Sequence, residues 1–176
     1  MKIRLLSLLA LFPFLAVSPV FEAQAATQSI LLSTTANVVP ILELSLSESA
    51  QLELKFGSIN SSGLGPVLSE VRTIQVNVLS NTGNQYILTQ SLDGPLQNTG
   101  GDTIAVNNLS FRTKAVNSTG TPIPAFTPAS ASAQTIFSSD NQGTAENISA
   151  DYQLYIPPLQ APGDYSALIT YTVSSV

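Results

Sequence analysis

Apolar and polar residues alternate at every second position in run after run of this chain, and clusters of turn-forming residues break the runs apart. This feature most narrows the folds open to it. In Arg72-Thr73-Ile74-Gln75-Val76-Asn77-Val78, residues Ile74, Val76 and Val78 fall on one side and Thr73, Gln75 and Asn77 on the other. Successive side chains of a strand point to opposite faces, so this period of two predicts a strand with one buried face. Tyr86, Leu88 and Leu92 repeat the pattern, as do Leu109, Phe111 and Thr113, then Tyr152, Leu154 and Ile156. The run over 165–173 sets Tyr165, Ala167, Ile169, Tyr171 and Val173 on one side. Between the runs stand Asn60-Ser61-Ser62-Gly63, Asn81-Thr82-Gly83-Asn84, Gly100-Gly101-Asp102, Asn117-Ser118-Thr119-Gly120 and Ala161-Pro162-Gly163-Asp164, all rich in residues that favour turns. Val, Ile, Thr and Tyr dominate the runs and suit a pleated surface. Roughly eight strands in one domain fit an all-β sandwich of two sheets. No helical period is sustained past the N-terminus, which excludes a helical bundle. Residues 120–132 carry Pro122, Pro124 and Pro128 and read as a surface loop, because proline cannot sit in a central strand.

The N-terminus reads as an address. Met1-Lys2-Ile3-Arg4 is basic, residues 5–17 are apolar apart from Ser7 and Pro13, and Ala23-Gln24-Ala25 supplies small residues for cleavage. This order predicts a secretory signal peptide over residues 1–25. The apolar run is shorter than the roughly 20 residues that span a bilayer, and no cysteine follows it to take a lipid. The processed chain, residues 26–176, is expected to form a single domain.

Composition removes most catalytic chemistry. The chain has no histidine and no cysteine, so Ser-His-Asp triads, Cys-His dyads, imidazole or thiolate metal sites and disulfides are all excluded. A net charge of −5 offers no basic patch for nucleic acid. No Ser-x-x-Lys precedes Lys55 or Lys114. Two loose acidic groups remain, Glu43 with Glu48 and Glu53, and Asp140 with Glu146 and Asp151. A glycosidase needs two carboxylates at a set separation, but these are expected to lie on solvated faces and in turns. Asp140-Asn141-Gln142-Gly143 lacks the alternating acids and closing glutamate of a calcium loop. We therefore expect no enzyme, no metal and no cofactor.

The processed chain opens directly on an alternating segment, residues 28–38, ended by Pro40, where most domains keep their first residues loose. It either forms the first strand of a closed sandwich or pairs with the sheet of a different subunit. In the second case main-chain hydrogen bonds supply continuity and alternate side chains fill pockets. Burial of Ile30, Leu32, Ala36 and Val38 would then supply on the order of 5–10 kcal/mol before ordering costs. A contact in which each copy gives and receives does not close, so it propagates as a fibre.

Four local features carry a resemblance over the whole processed chain. They are Ile30-Leu31-Leu32-Ser33-Thr34-Thr35-Ala36-Asn37-Val38-Val39-Pro40-Ile41-Leu42-Glu43-Leu44, Val71-Arg72-Thr73-Ile74-Gln75-Val76-Asn77-Val78, Leu109-Ser110-Phe111, and Ala161-Pro162-Gly163-Asp164-Tyr165-Ser166-Ala167-Leu168-Ile169-Thr170-Tyr171-Thr172-Val173. In these the chain resembles the major pilins of the colonisation-factor type (alpha-fimbriae) of Gram-negative chaperone-usher systems, or a related pilin-like secreted β domain; the lack of cysteine matches that class. The resemblance implies an incomplete immunoglobulin-like (pilin-type) sandwich over residues 41–176 and a donor-strand segment over 26–40. It implies donor side chains at Ile30, Leu32, Thr34, Ala36 and Val38, with Thr34 departing from a fully apolar set. A terminal strand carrying Tyr165, Ile169, Tyr171 and Val173 would contact a chaperone. The implied partners are copies of the same chain, a periplasmic chaperone, an outer-membrane usher and a tip adhesin. The implied role is that of a shaft subunit, exported through the periplasm to a cell-surface fimbrium that supports adhesion. The competing expectation is a monomeric secreted or cell-surface binding module, for carbohydrate for example.

Overall fold

The computed structural model describes residues 35–47, 54–60, 65–117 and 119–176. The proposed signal peptide, Ile30, Leu32 and Thr34 lie outside the described residues. Two compact units divide the chain, Met1–Asn37 and Val38–Val176. Of the first, residues 35–37 are described and are exposed, without strand structure. The second contains every element described below.

Strands β1 (Leu42–Ser47), β2 (Val67–Leu68), β3 (Arg72–Ser80), β4 (Tyr86–Leu92), β5 (Leu96–Gln97) and β6 (Thr103–Ile104) lead into a 3-10 turn, Val106–Asn108. There follow β7 (Leu109–Ala115), β8 (Thr121–Pro122), β9 (Thr127–Pro128), β10 (Gln134–Ser138), β11 (Glu146–Ile156) and β12 (Ile169–Ser175). One sheet runs β1-β3-β11-β7-β9, with β2 pairing the far end of β11; the other runs β12-β4-β10-β8; β5 and β6 form a small ribbon. Among the described residues all strand pairings are antiparallel.

The alternation seen in the sequence is what closes the core. Tyr86, Leu88, Gln90 and Leu92 of β4 are buried, as are Ile148, Ala150, Tyr152, Leu154 and Ile156 of β11, while the residues between them are more open. Phe111 of β7 and Ile136 and Phe137 of β10 complete the interior. Two expectations need correction. Residues 120–132 are not wholly loop, for Thr121–Pro122 pairs with β10 and Thr127–Pro128 with β7. Both prolines sit on outermost strands, where a missing N–H costs no ladder bond. The terminal strand begins at Ile169 rather than Tyr165, because the side chain of Asp93 accepts the N–H of Leu168 at 2.8 Å in place of a ladder partner.

Read in chain order, β1, β3, β11 and β7 stand where an immunoglobulin sandwich has its A, B, E and D strands, and β4 and β12 stand as C and F. The molecule is thus an all-β, immunoglobulin-like sandwich through its sixth principal strand. Among the described residues nothing occupies the seventh position, beside the free edge of β12.

Candidate functional site

The vacant edge coincides with an open seam. β1 is the edge of one sheet and β12 the edge of the other, and the two strands adjoin across the sandwich. Leu42, Leu44 and Leu46 of β1 and Ile169, Tyr171 and Val173 of β12 pack against the core but are only half-buried. Their neighbours one strand inward, on β3 and β4, include Val76, Val78, Leu88 and Leu92, all buried. Apolar side chains thus remain partly wet along one line, while the outer edge of β12 has no ladder partner among the described residues. An exposed edge above an apolar floor is a template for another strand.

The floor has one polar feature. Tyr152 donates its hydroxyl to Gln90 Oε1 at 2.5 Å and lies 2.5 Å from the hydroxyl of Tyr171. Gln90 is fully buried and its Nε2 has no partner. Burial pushes the Tyr171 phenol up to about 12 and the Tyr152 phenol well above its ordinary value. Both stay protonated at any ordinary pH, so this cluster orients hydroxyls and does not move protons near neutrality.

The described part of the expected donor segment lies open to solvent. Ala36 is exposed, Val38 is 77% exposed, and no strand forms over residues 35–40. At the chain's entry to β1, Asn81 donates Nδ2 to the Val39 carbonyl at 3.1 Å and accepts the Ile41 N–H on Oδ1 at 2.5 Å. On the terminal strand, Tyr165 precedes β12, while Ile169, Tyr171 and Val173 share its inward row. Tyr165 is held by its own loop, donating to the Ala161 carbonyl at 2.7 Å and accepting from Gln160 Nε2 at 2.8 Å.

The acidic residues are tied to structural partners. Asp151 accepts from Arg112 Nε at 2.9 Å and from the Thr73 hydroxyl at 2.6 Å on the outer sheet face. Asp140 accepts the N–H and hydroxyl of Thr144 in a turn. Glu146 corrects the expectation of a solvated carboxylate, since it is 3% exposed and gathers donors from the loop after β7. Glu146 and Asp151 differ by five positions on β11 and so project from opposite faces. Glu43 is exposed on β1; Glu48 and Glu53 lie outside the described residues. A shallow polar depression lined by Asp93, Gln97, Asn98, Asp164 and Ser166 also lies near the terminal strand.

No family model and no curated protein matches the chain. Among solved structures it is similar to a family 123 glycoside hydrolase from Clostridium perfringens, with 21% identity and a TM-score of 0.36 over 62% of this chain, and spans 18% of that one. It is also similar to the chain of a chaperone-usher pilus, with 14% identity and a TM-score of 0.44 over 88% of this chain and 100% of the other. Neither score is high enough to carry a functional argument.

Proposed function

We propose that this chain is a structural fimbrial subunit of the pilus shaft, which polymerises when the N-terminal segment of one copy enters the open seam of the next. The observation that supports this most directly is the half-buried row Ile169, Tyr171, Val173 facing Leu42, Leu44 and Leu46, beside a strand edge that has no neighbour among the described residues. A strand laid there completes the sandwich. Its main chain takes the free N–H and C=O groups of β12, and its alternate side chains, Ile30, Leu32, Thr34, Ala36 and Val38, cover the exposed apolar floor. The segment that precedes β1 is restricted in φ at Pro40, and its described residues, 35–40, are exposed, as a donated strand must be.

On this reading the chain catalyses nothing and binds no cofactor. Export by the signal peptide precedes capping of the seam by a periplasmic chaperone along the terminal strand. An outer-membrane usher then exchanges the chaperone for a neighbouring copy. The colonisation-factor class of pilins, with a tip adhesin at the fibre's end, is the family whose sequence pattern this chain shares, and adhesion is the role that follows.

Deletion of residues 26–38 tests the reading. The truncated chain is expected to remain folded with its chaperone and to form no polymer. Continued polymerisation of the truncated chain overturns it. If deletion unfolds the domain and the intact chain is a stable monomer without a chaperone, the segment belongs to its own sheet and a secreted binding module becomes the better account.

A further inference from the structure

We infer that subunits in the fibre touch through a second contact outside the donated strand, in which Leu159 of the receiving copy packs on an apolar collar formed by Val39, Ile41 and Leu79 of the donating copy. The inference rests on the strand-donation reading and adds to it.

Register fixes which ends of the molecule meet. Leu42 pairs with Ser80 and Ser175 with Tyr86, and a short turn joins Ser80 to Tyr86. The start of β1 and the finish of β12 therefore share one end of the sandwich. Ile169 pairs with Leu92 at the opposite end, where residues 157–164 lead into β12. A strand entering the seam antiparallel to β12, like the strand pairings among the described residues, leaves it at that opposite end. With β12 running from Ile169 to Ser175, Val38, the last of the donor's alternating row, stands at or beyond the Ile169 end of the receiver's strand. From Val38 to Leu42, the first residue of the donor's own β1, is four residue steps, at most about 14 Å of extended chain. Pro40 keeps Val39 extended. The donor's body must then abut the receiver's 157–164 loop.

Both abutting surfaces carry apolar groups that the isolated molecule leaves in water. On the donor side Val39 is 65% exposed, and Ile41 and Leu79 are exposed beside it; Leu79 pairs with Glu43, two places from Ile41 on the same sheet face. On the receiver side Leu159 is 84% exposed. Its backbone is also strained, for at φ 61° it is the one non-glycine residue with positive φ among the described residues. A bulky side chain rarely adopts this region. Such strain persists when surrounding structure or function requires it, yet within one molecule Leu159 gains no burial in return. The loop itself is held in place, since Gln160 bonds Thr103 and Tyr165, and Tyr165 bonds Ala161. Leu159 is thus presented by a fixed loop at the place where the next body arrives.

The absence of cysteine from the chain makes the test direct. Fibres of the processed chain carrying Leu159→Cys with Ile41→Cys, or Leu159→Cys with Leu79→Cys, are oxidised after assembly and run under denaturing conditions. A covalent ladder beyond the dimer is expected from at least one pair, while each single-cysteine variant stops at dimer. Leu159→Gly relieves the backbone, so the isolated subunit should resist urea at least as well as the parent. Its fibres should dissociate in denaturant on the order of tenfold faster. Intact fibres that give no ladder from either pair overturn the contact, provided deletion of residues 26–38 abolishes assembly. Fibres that form despite that deletion bring down the strand reading, and this inference with it.

Discussion

Replacing Glu146 with glutamine keeps the shape of a buried side chain and removes its charge, so its cost follows from the hydrogen bonds alone. Oε1 accepts the backbone N–H of Asn117 at 2.7 Å and of Asn147 at 3.0 Å. Oε2 accepts the N–H and the hydroxyl of Thr119 at 3.3 and 2.8 Å. An amide has one oxygen. With that oxygen in the Oε1 position, the new NH2 group faces the Thr119 N–H; the hydroxyl can turn to accept, but the N–H is orphaned. An unpaired buried donor costs about 1–3 kcal/mol, and the bonds that survive lose their charge assistance. Glu146→Gln should therefore lower the unfolding free energy by about 2–4 kcal/mol at neutral pH. The pH dependence has a definite sign. Burial pushes the Glu146 carboxyl up, but the bonds from Asn117, Thr119 and Asn147 together outweigh it and hold it below the ordinary glutamate value. The contribution is complete above the unfolded pKa, near about 4.3, and is lost as pH falls through the lower folded value. Urea melts of parent and variant subunit from pH 7 to pH 3 should show a gap that narrows in acid. A gap under about 0.5 kcal/mol at pH 7, the scale of an ordinary surface substitution, or one that does not change with pH, refutes the reasoning.

Two further substitutions probe the core and a turn. Thr113 donates its hydroxyl to the Ile136 carbonyl at 2.6 Å and accepts the Ile123 N–H at 2.7 Å, so Thr113→Val should cost about 2–4 kcal/mol in a urea melt; Thr113→Ser, which keeps the hydroxyl, should cost clearly less. Gly143 has φ +61°, and a Cβ there would overlap the Asn84 carbonyl, so Gly143→Ala should destabilise by about 2–4 kcal/mol, read as a fall in the thermal midpoint.

Much of the sandwich was legible because the fold buries single faces. β7 and β11 alternate in sequence and in burial; β3 and β4 keep the pattern in most places, with Leu79 and Ile87 on the outer row and Gln90 on the buried one. β10 was not legible: a register shift between Thr135 and Phe137 lets Ile136 and Phe137 both be buried, which erases the period of two. The start of β12 was overread because Tyr165 and Ala167 keep the alternation while Asp93 takes the strand's N–H. The burial of Glu146 could not be read from a local pattern, since its partners Asn117 and Thr119 lie 29 and 27 residues away. One signal was available, since position 146 is in phase with the inward row of β11 at Ile148, Ala150 and Tyr152.

Amide hydrogen exchange, followed residue by residue over 28–38 and 169–175 in dilute monomer and in assembled fibre, tests the central proposal most directly. In the monomer residues 28–38 should exchange at nearly free rates, and alternate amides of β12 should exchange rapidly. Both sets should become protected together in the fibre. Protection of residues 28–38 already present in the monomer, and unchanged on assembly, would contradict the account.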